Sequence, residues 1–94
     1  MSRSMLLYPM LVECIPENLT QNTPYISLKY YTVIHMCCCG CGNKTVTPVN
    51  TQGWKLTLVV HGVDIGVSLW PSIGNFQIPC KSHYYIKDNK VEWL

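Results

Sequence analysis

The sequence predicts a small, mainly β domain of about six or seven short strands clipped together by a zinc-binding cysteine cluster. Three observations lead there. Short runs of β-branched and aromatic residues are separated by turn-forming Gly, Pro, Asn and Asp. No stretch sustains a helical period over three turns. Four of the six cysteines are crowded into Cys37, Cys38, Cys39 and Cys41. A length of 94 residues suits one folding unit, residues 1–94. With 48% apolar and only 13% charged residues, the chain has enough to bury and too little charge to stay disordered.

From the N-terminus, Met10 to Ile15 and Tyr25 to Leu28 read as short strands joined by the polar loop Pro16 to Pro24. Tyr30 to Met36 is a β-branched and aromatic run that leads straight into the cysteines. Lys44 to Val49 and Trp54 to Val60 follow, separated by Asn50-Thr51-Gln52-Gly53. In the second of these, Leu56, Leu58 and Val60 alternate with Thr57 and Val59, the period of a largely buried strand. His61-Gly62 turns the chain into Val63 to Trp70, and Pro71, which offers no ladder donor, opens a loop Pro71-Ser72-Ile73-Gly74-Asn75. Tyr84 to Lys87 and Lys90 to Trp93 flank Asp88-Asn89, two residues that tolerate the left-handed conformation of a tight hairpin turn. Trp54, Trp70 and Trp93 read as core residues, with one of them available as an apolar wall beside the Ser72 loop. Cys14, alone, also reads as core.

The composition excludes several function classes. A net charge of +2, with its lysines scattered singly, leaves no dense cationic footprint for nucleic acid. No apolar run approaches the roughly 20 residues that span a bilayer. The apolar patch behind Arg3, Met5 to Leu7, is interrupted by Tyr8-Pro9 before it reaches signal-peptide length. The expectation is a cytoplasmic protein without a membrane partner, whose thiols stay reduced.

Reduced, crowded thiols point to a metal. Tetrahedral zinc with ligands at about 2.3 Å requires sulfurs roughly 3.8 Å apart, whereas Cys37 and Cys41 on a straight strand would lie about 13 Å apart. Gly40 and Gly42 supply the positive φ values that let the chain curl into a knuckle. The Cys38–Cys41 pair has ligand spacing too, so several ligand sets are open. Cys80 is the remote ligand, with His83 of Cys80-Lys81-Ser82-His83 as a further candidate. Four thiolates would close the coordination sphere and make the ion structural.

The segment around Pro71 also contains the parts of a serine hydrolase. Ser72 can be presented as nucleophile, His83 can serve as general base, and Gly74 and Asn75 can offer hydrogen-bond donors to a developing oxyanion. Ser68 and Ser82 are rival nucleophiles and His35 a rival base. His61, beside Gly62, reads as a turn histidine.

Two strings narrow the choice: His35-Met36-Cys37-Cys38-Cys39-Gly40-Cys41-Gly42-Asn43-Lys44-Thr45-Val46-Thr47-Pro48, and Ser68 to Phe76 continuing through Pro79-Cys80-Lys81-Ser82-His83-Tyr84-Tyr85-Ile86. In this order they resemble the bacterial uncharacterised-domain family 6527 (DUF6527) over about residues 10–94. The resemblance implies a place beside ubiquitin-like, E1-like and E2-like proteins, where the expected role is a peptidase that processes or deconjugates the ubiquitin-like protein. The family pattern Cys-x-Cys-Gly-Cys-Gly falls on Cys37, Cys39 and Cys41, which with Cys80 gives the expected zinc set and leaves Cys38 out. The expected catalytic residues are Ser72, His83 and Asn75. A non-catalytic zinc adaptor that binds the ubiquitin-like protein or its conjugation enzymes is the other reading.

Overall fold

The computed structural model describes residues 5–94, so Arg3 lies outside the described residues. Nine strands are formed among them: β1 (Met5–Leu6), β2 (Met10–Leu11), β3 (Tyr25–Ser27), β4 (Thr32–Met36), β5 (Lys44–Pro48), β6 (Lys55–His61), β7 (Asp64–Gly74), β8 (His83–Lys87) and β9 (Lys90–Trp93). Two of them, β1 and β2, are only two residues long. No helix of the described residues is long and apolar enough to cross a membrane.

The strands make two sheets. One has the order β1-β9-β8-β7-β6, antiparallel throughout; the other has the order β2-β3-β4-β5, with β2 parallel to β3 and the remaining pairs antiparallel. Burial alternates residue by residue in β4, β5 and β9, as it must when one face meets the core. Inward side chains of both sheets, Ile26 and Val33 from one and Val67, Leu69, Ile73, Tyr84 and Ile86 from the other, share a single buried cluster. The β8–β9 hairpin turns at Asp88 (φ 46°) and Asn89 (φ 68°), the left-handed pair that a two-residue turn of this hand requires.

Four sequence expectations are corrected. Pro71 to Gly74 is strand, not loop, because β7 continues through a bulge to Gly74. β6 is an edge strand, so Leu56 and Leu58 are half-buried while Val60 is 72% exposed. Trp70 is 61% exposed, stacked on Tyr85 at 5.6 Å, rather than in the core. Cys14 is exposed.

Candidate active site and metal centre

Antiparallel pairing holds Leu69 opposite Ile86 and then Ile73 opposite Tyr84, so β7 advances four residues while β8 advances two. The surplus falls on Trp70, Pro71 and Ser72. A bulge re-aims side chains and tolerates a residue without an N–H, which accommodates Pro71 and changes the direction of Ser72. The carbonyl of Ser72 accepts the indole N–H of Trp54 at 3.3 Å, which anchors the bulge to the chain entering β6. Ser72 Oγ then lies 2.7 Å from His83 Nε2, with both residues half-buried. With the imidazole proton on Nδ1, Nε2 accepts the serine proton.

His83 is the first residue of β8, opposite Gly74. The ring of Phe76 packs edge-on against its imidazole at 5.2 Å. A side chain at position 74 would run into the Phe76 ring. Phe76 is 61% exposed and free to swing outward, so Gly74→Ala should lower stability by less than about 1 kcal/mol. Losing the ring that braces His83 should nevertheless lower kcat/KM roughly tenfold, since small misplacements of a reacting group are expensive. Thermal melts and substrate titrations on the same preparation check both halves of this prediction.

Two hairpin tips, one from each sheet, bring the cysteines together. At the β4–β5 tip, Cys37 N–H donates to Asn43 O at 2.8 Å and Gly40 N–H to Cys37 O at 3.0 Å, with Gly40 at φ 84° and Gly42 at φ 86° curling the chain. At the β7–β8 tip, Asn75 N–H donates to Ser82 O at 2.8 Å and Lys81 takes φ 48°, presenting Cys80. The sulfurs of Cys37, Cys39, Cys41 and Cys80 all lie within 4.8 Å of one another, a grouping that could hold a metal ion. Cys37 Sγ stands 3.4 Å from Cys39 Sγ and 3.7 Å from Cys80 Sγ, close to the edge of a zinc–thiolate tetrahedron.

The surroundings favour anionic sulfur at two of the four. Ser82, through its hydroxyl and its N–H, holds the Cys80 thiol down to about 6, and Asn43 lowers Cys41. Burial and the neighbouring thiols push Cys39 up to about 12. A divalent cation is what would allow all four to be thiolates together. Cys38 stays outside this group, buried in the core, its N–H 3.4 Å from Tyr84 OH and its thiol pushed up to about 11 by desolvation. Of the two candidate uses of His83, the structure places its imidazole with Ser72 and outside the four-sulfur group.

Asn75 is placed differently from Ser72 and His83. Its carbonyl oxygen accepts the Thr45 hydroxyl at 3.0 Å, and its amide donates to Ser82 Oγ at 2.9 Å and approaches Tyr84 OH at 3.4 Å. Ser82 Oγ is itself 3.0 Å from Cys37 Sγ and 3.5 Å from Cys80 Sγ. Asn75 therefore ties β5, β8 and the cysteine group to one another. The rival nucleophiles are also occupied, Ser82 with the sulfurs and Ser68 as acceptor for Asp88 N–H at 2.8 Å, and the exposed turn histidine His61 lies 3.4 Å from Asp88. His35 is buried with Nε2 2.7 Å from Tyr84 OH, and desolvation lowers it to about 4, which keeps it neutral.

Sequence reasoning did not single out Thr45, Phe76 or Tyr84. The hydroxyl of Tyr84, fully buried, meets His35, Cys38 and Asn75 together. Tyr84→Phe should strand buried polar groups at a cost of about 1–3 kcal/mol, lowering the melting temperature by roughly 5–15 °C while metal content holds. Calorimetry paired with metal analysis tests this.

Beside Ser72 and His83, a cleft of about 450 Å³ separates β5 from the end of β7, with Thr45, Val46, Trp54, Gly74 and Phe76 in its walls. Ser72 and His83 do not themselves line this cleft, but two of its wall residues touch them, Trp54 through the Ser72 carbonyl and Phe76 through the His83 ring. A bulged serine bonded to a half-buried imidazole next to a cleft is a nucleophile–base arrangement. The family model for the bacterial ubiquitination-like system serine protease (BubE) matches residues 11–94. The chain belongs to this family. No curated protein and no solved structure matches it. Membership of the BubE family places it among serine proteases of a bacterial ubiquitination-like system.

Proposed function

We propose that this BubE-family chain is a peptidase that trims or removes a ubiquitin-like protein, with Ser72 as nucleophile and His83 as general base. The observation that supports it is the 2.7 Å contact between Ser72 Oγ and His83 Nε2 on the bulged end of β7. As Ser72 Oγ attacks the scissile carbonyl, its proton passes to His83 Nε2. The leaving group then departs with that proton, giving an acyl-serine ester. Water, deprotonated by the same nitrogen, hydrolyses the ester and returns Ser72 to its starting state. Phe76 limits the imidazole's freedom and Trp54 holds the bulge. Asn75, whose amide is committed to Ser82 and Thr45, acts as a positioning residue in this scheme.

Cys37, Cys39, Cys41 and Cys80 would hold zinc, which supplies structural cross-linking between the two sheets and, with four sulfur ligands, no open position for water. The partners are the ubiquitin-like protein and its E1-like and E2-like enzymes. The test is incubation of the wild-type protein with a ubiquitin-like protein that carries residues beyond its processing point, or is conjugated to a target, followed by intact-mass analysis. Release of the mature form is expected, with His83→Ala slower by about a thousandfold or more. An intact partner that binds without being cleaved would instead establish the adaptor reading.

A further inference from the structure

Two strand edges stand open across the cleft. On β5, Cys37–Asn43 and Tyr31–Val49 are hydrogen-bonded pairs with β4, so by antiparallel alternation Thr45 and Thr47 direct their main-chain groups to β4 while Lys44, Val46 and Pro48 direct theirs away from it. Pro48 O accepts Trp54 N–H at 2.9 Å, which leaves Lys44 and Val46. On β7, pairing with β6 stops at Lys55 opposite Trp70. Asn75 N–H donates to Ser82 O, so Asn75 and Ile73 face β8 while Gly74 and Ser72 face the side that β6 has left. The Ser72 carbonyl is met by Trp54, but Gly74 keeps both its N–H and its C=O directed outward with no strand beside them among the described residues. Lys44, Val46 and Gly74 all line the same 450 Å³ cleft.

An open edge is a template for another strand, and a mobile protein segment in extended form is the occupant whose chemistry matches it. We propose that the substrate's backbone lies in this cleft as an added strand on the Gly74 edge of β7, with β5 as the opposite wall. Gly74 is two residues from Ser72 on the same strand, so pairing there sets the register of the scissile bond against the nucleophile. The lack of a side chain at Gly74 keeps the edge low beside Phe76. Recognition through main-chain groups admits an unfolded tail of varied sequence and rejects a segment already paired in a sheet or helix, and it rejects an N-methylated or proline residue facing Gly74. The catalytic use of the cleft rests on the peptidase reading; the binding mode does not.

The test separates the two. Zinc-loaded, 15N-labelled Ser72→Ala protein is titrated to millimolar concentration with a mixture of N-acetylated pentapeptide amides randomised at every position, and separately with the same mixture N-methylated throughout. Because main-chain pairing is common to all sequences, the first mixture should slow amide exchange at Gly74 about tenfold and shift the resonances of Gly74 and its neighbours, and the second should not. Absence of protection with both mixtures, or equal protection with both, overturns the proposal. Wild-type protein is assayed in parallel on the tailed ubiquitin-like protein. Cleavage without protection at Gly74 overturns the strand-addition mode alone, whereas protection at Gly74 without cleavage supports it and removes the peptidase reading.

Discussion

Ser72→Ala is expected to lower kcat/KM on a ubiquitin-like substrate by about 10⁴-fold or more while leaving metal content and melting temperature close to wild type. Removing a nucleophile from a serine–imidazole pair typically forfeits that much, equivalent to about 5.5 kcal/mol of transition-state stabilisation. The fold should tolerate the change because Ser72 is half-buried and its carbonyl, not its side chain, is what Trp54 holds. The imidazole left behind is only half-buried and can be hydrated. Ser68→Ala is the matched control, since Ser68 lies on β7 opposite Thr57, with its hydroxyl accepting Asp88 N–H of the β8–β9 turn, and its turnover should stay within about twofold. Ser72→Ala turning over at the wild-type rate would remove Ser72 from the mechanism, whatever the family name.

The local signals in the sequence were the dependable ones. Asp88-Asn89 announces its hairpin because two residues that accept positive φ stand between two apolar runs, and both adopt it. Gly40 and Gly42 announce the knuckle for the same reason. What the sequence could not display is pairing register. Pro71 reads locally as the end of a strand, because whether a missing N–H matters depends on which neighbour lies opposite, and opposite Pro71 the ladder is bulged. The alternation in β6 correctly indicates a strand, but not that β6 would be an edge, so Val60 was expected inside and stands in solvent. The closeness of Asn75 to Ser72 in the chain predicts a donor to substrate; just past the end of β7, its amide lies against Ser82 and Thr45 instead. Partners such as Thr45 and Tyr84 lie 30 and 9 residues from Asn75 and belong to other strands.

Stripping the metal should cost the fold itself. The four-sulfur group joins the β4–β5 tip of one sheet to the β7–β8 tip of the other, and the two sheets have only a modest shared core between them. A structural zinc site contributes on the order of 10 kcal/mol, comparable to the whole stability of a domain of this size. Treatment with a strong chelator is therefore expected to abolish the cooperative thermal transition at neutral pH. Serine substitution of Cys37, Cys39, Cys41 or Cys80 should lower zinc content and melting temperature together, by tens of degrees on the usual scaling of about 4–8 °C per kcal/mol. Cys38→Ala removes a buried sulfur outside the group and should cost only the few kcal/mol of a small cavity, with one zinc per chain retained. Activity should fall with the metal because Ser82, whose hydroxyl touches Cys37 and Cys80, immediately precedes His83, so a slack knuckle releases the start of β8 and the imidazole with it. Metal-free protein that melts cooperatively at the wild-type temperature would show that the cysteines serve some other purpose, and would detach the geometry of Ser72 and His83 from any ion.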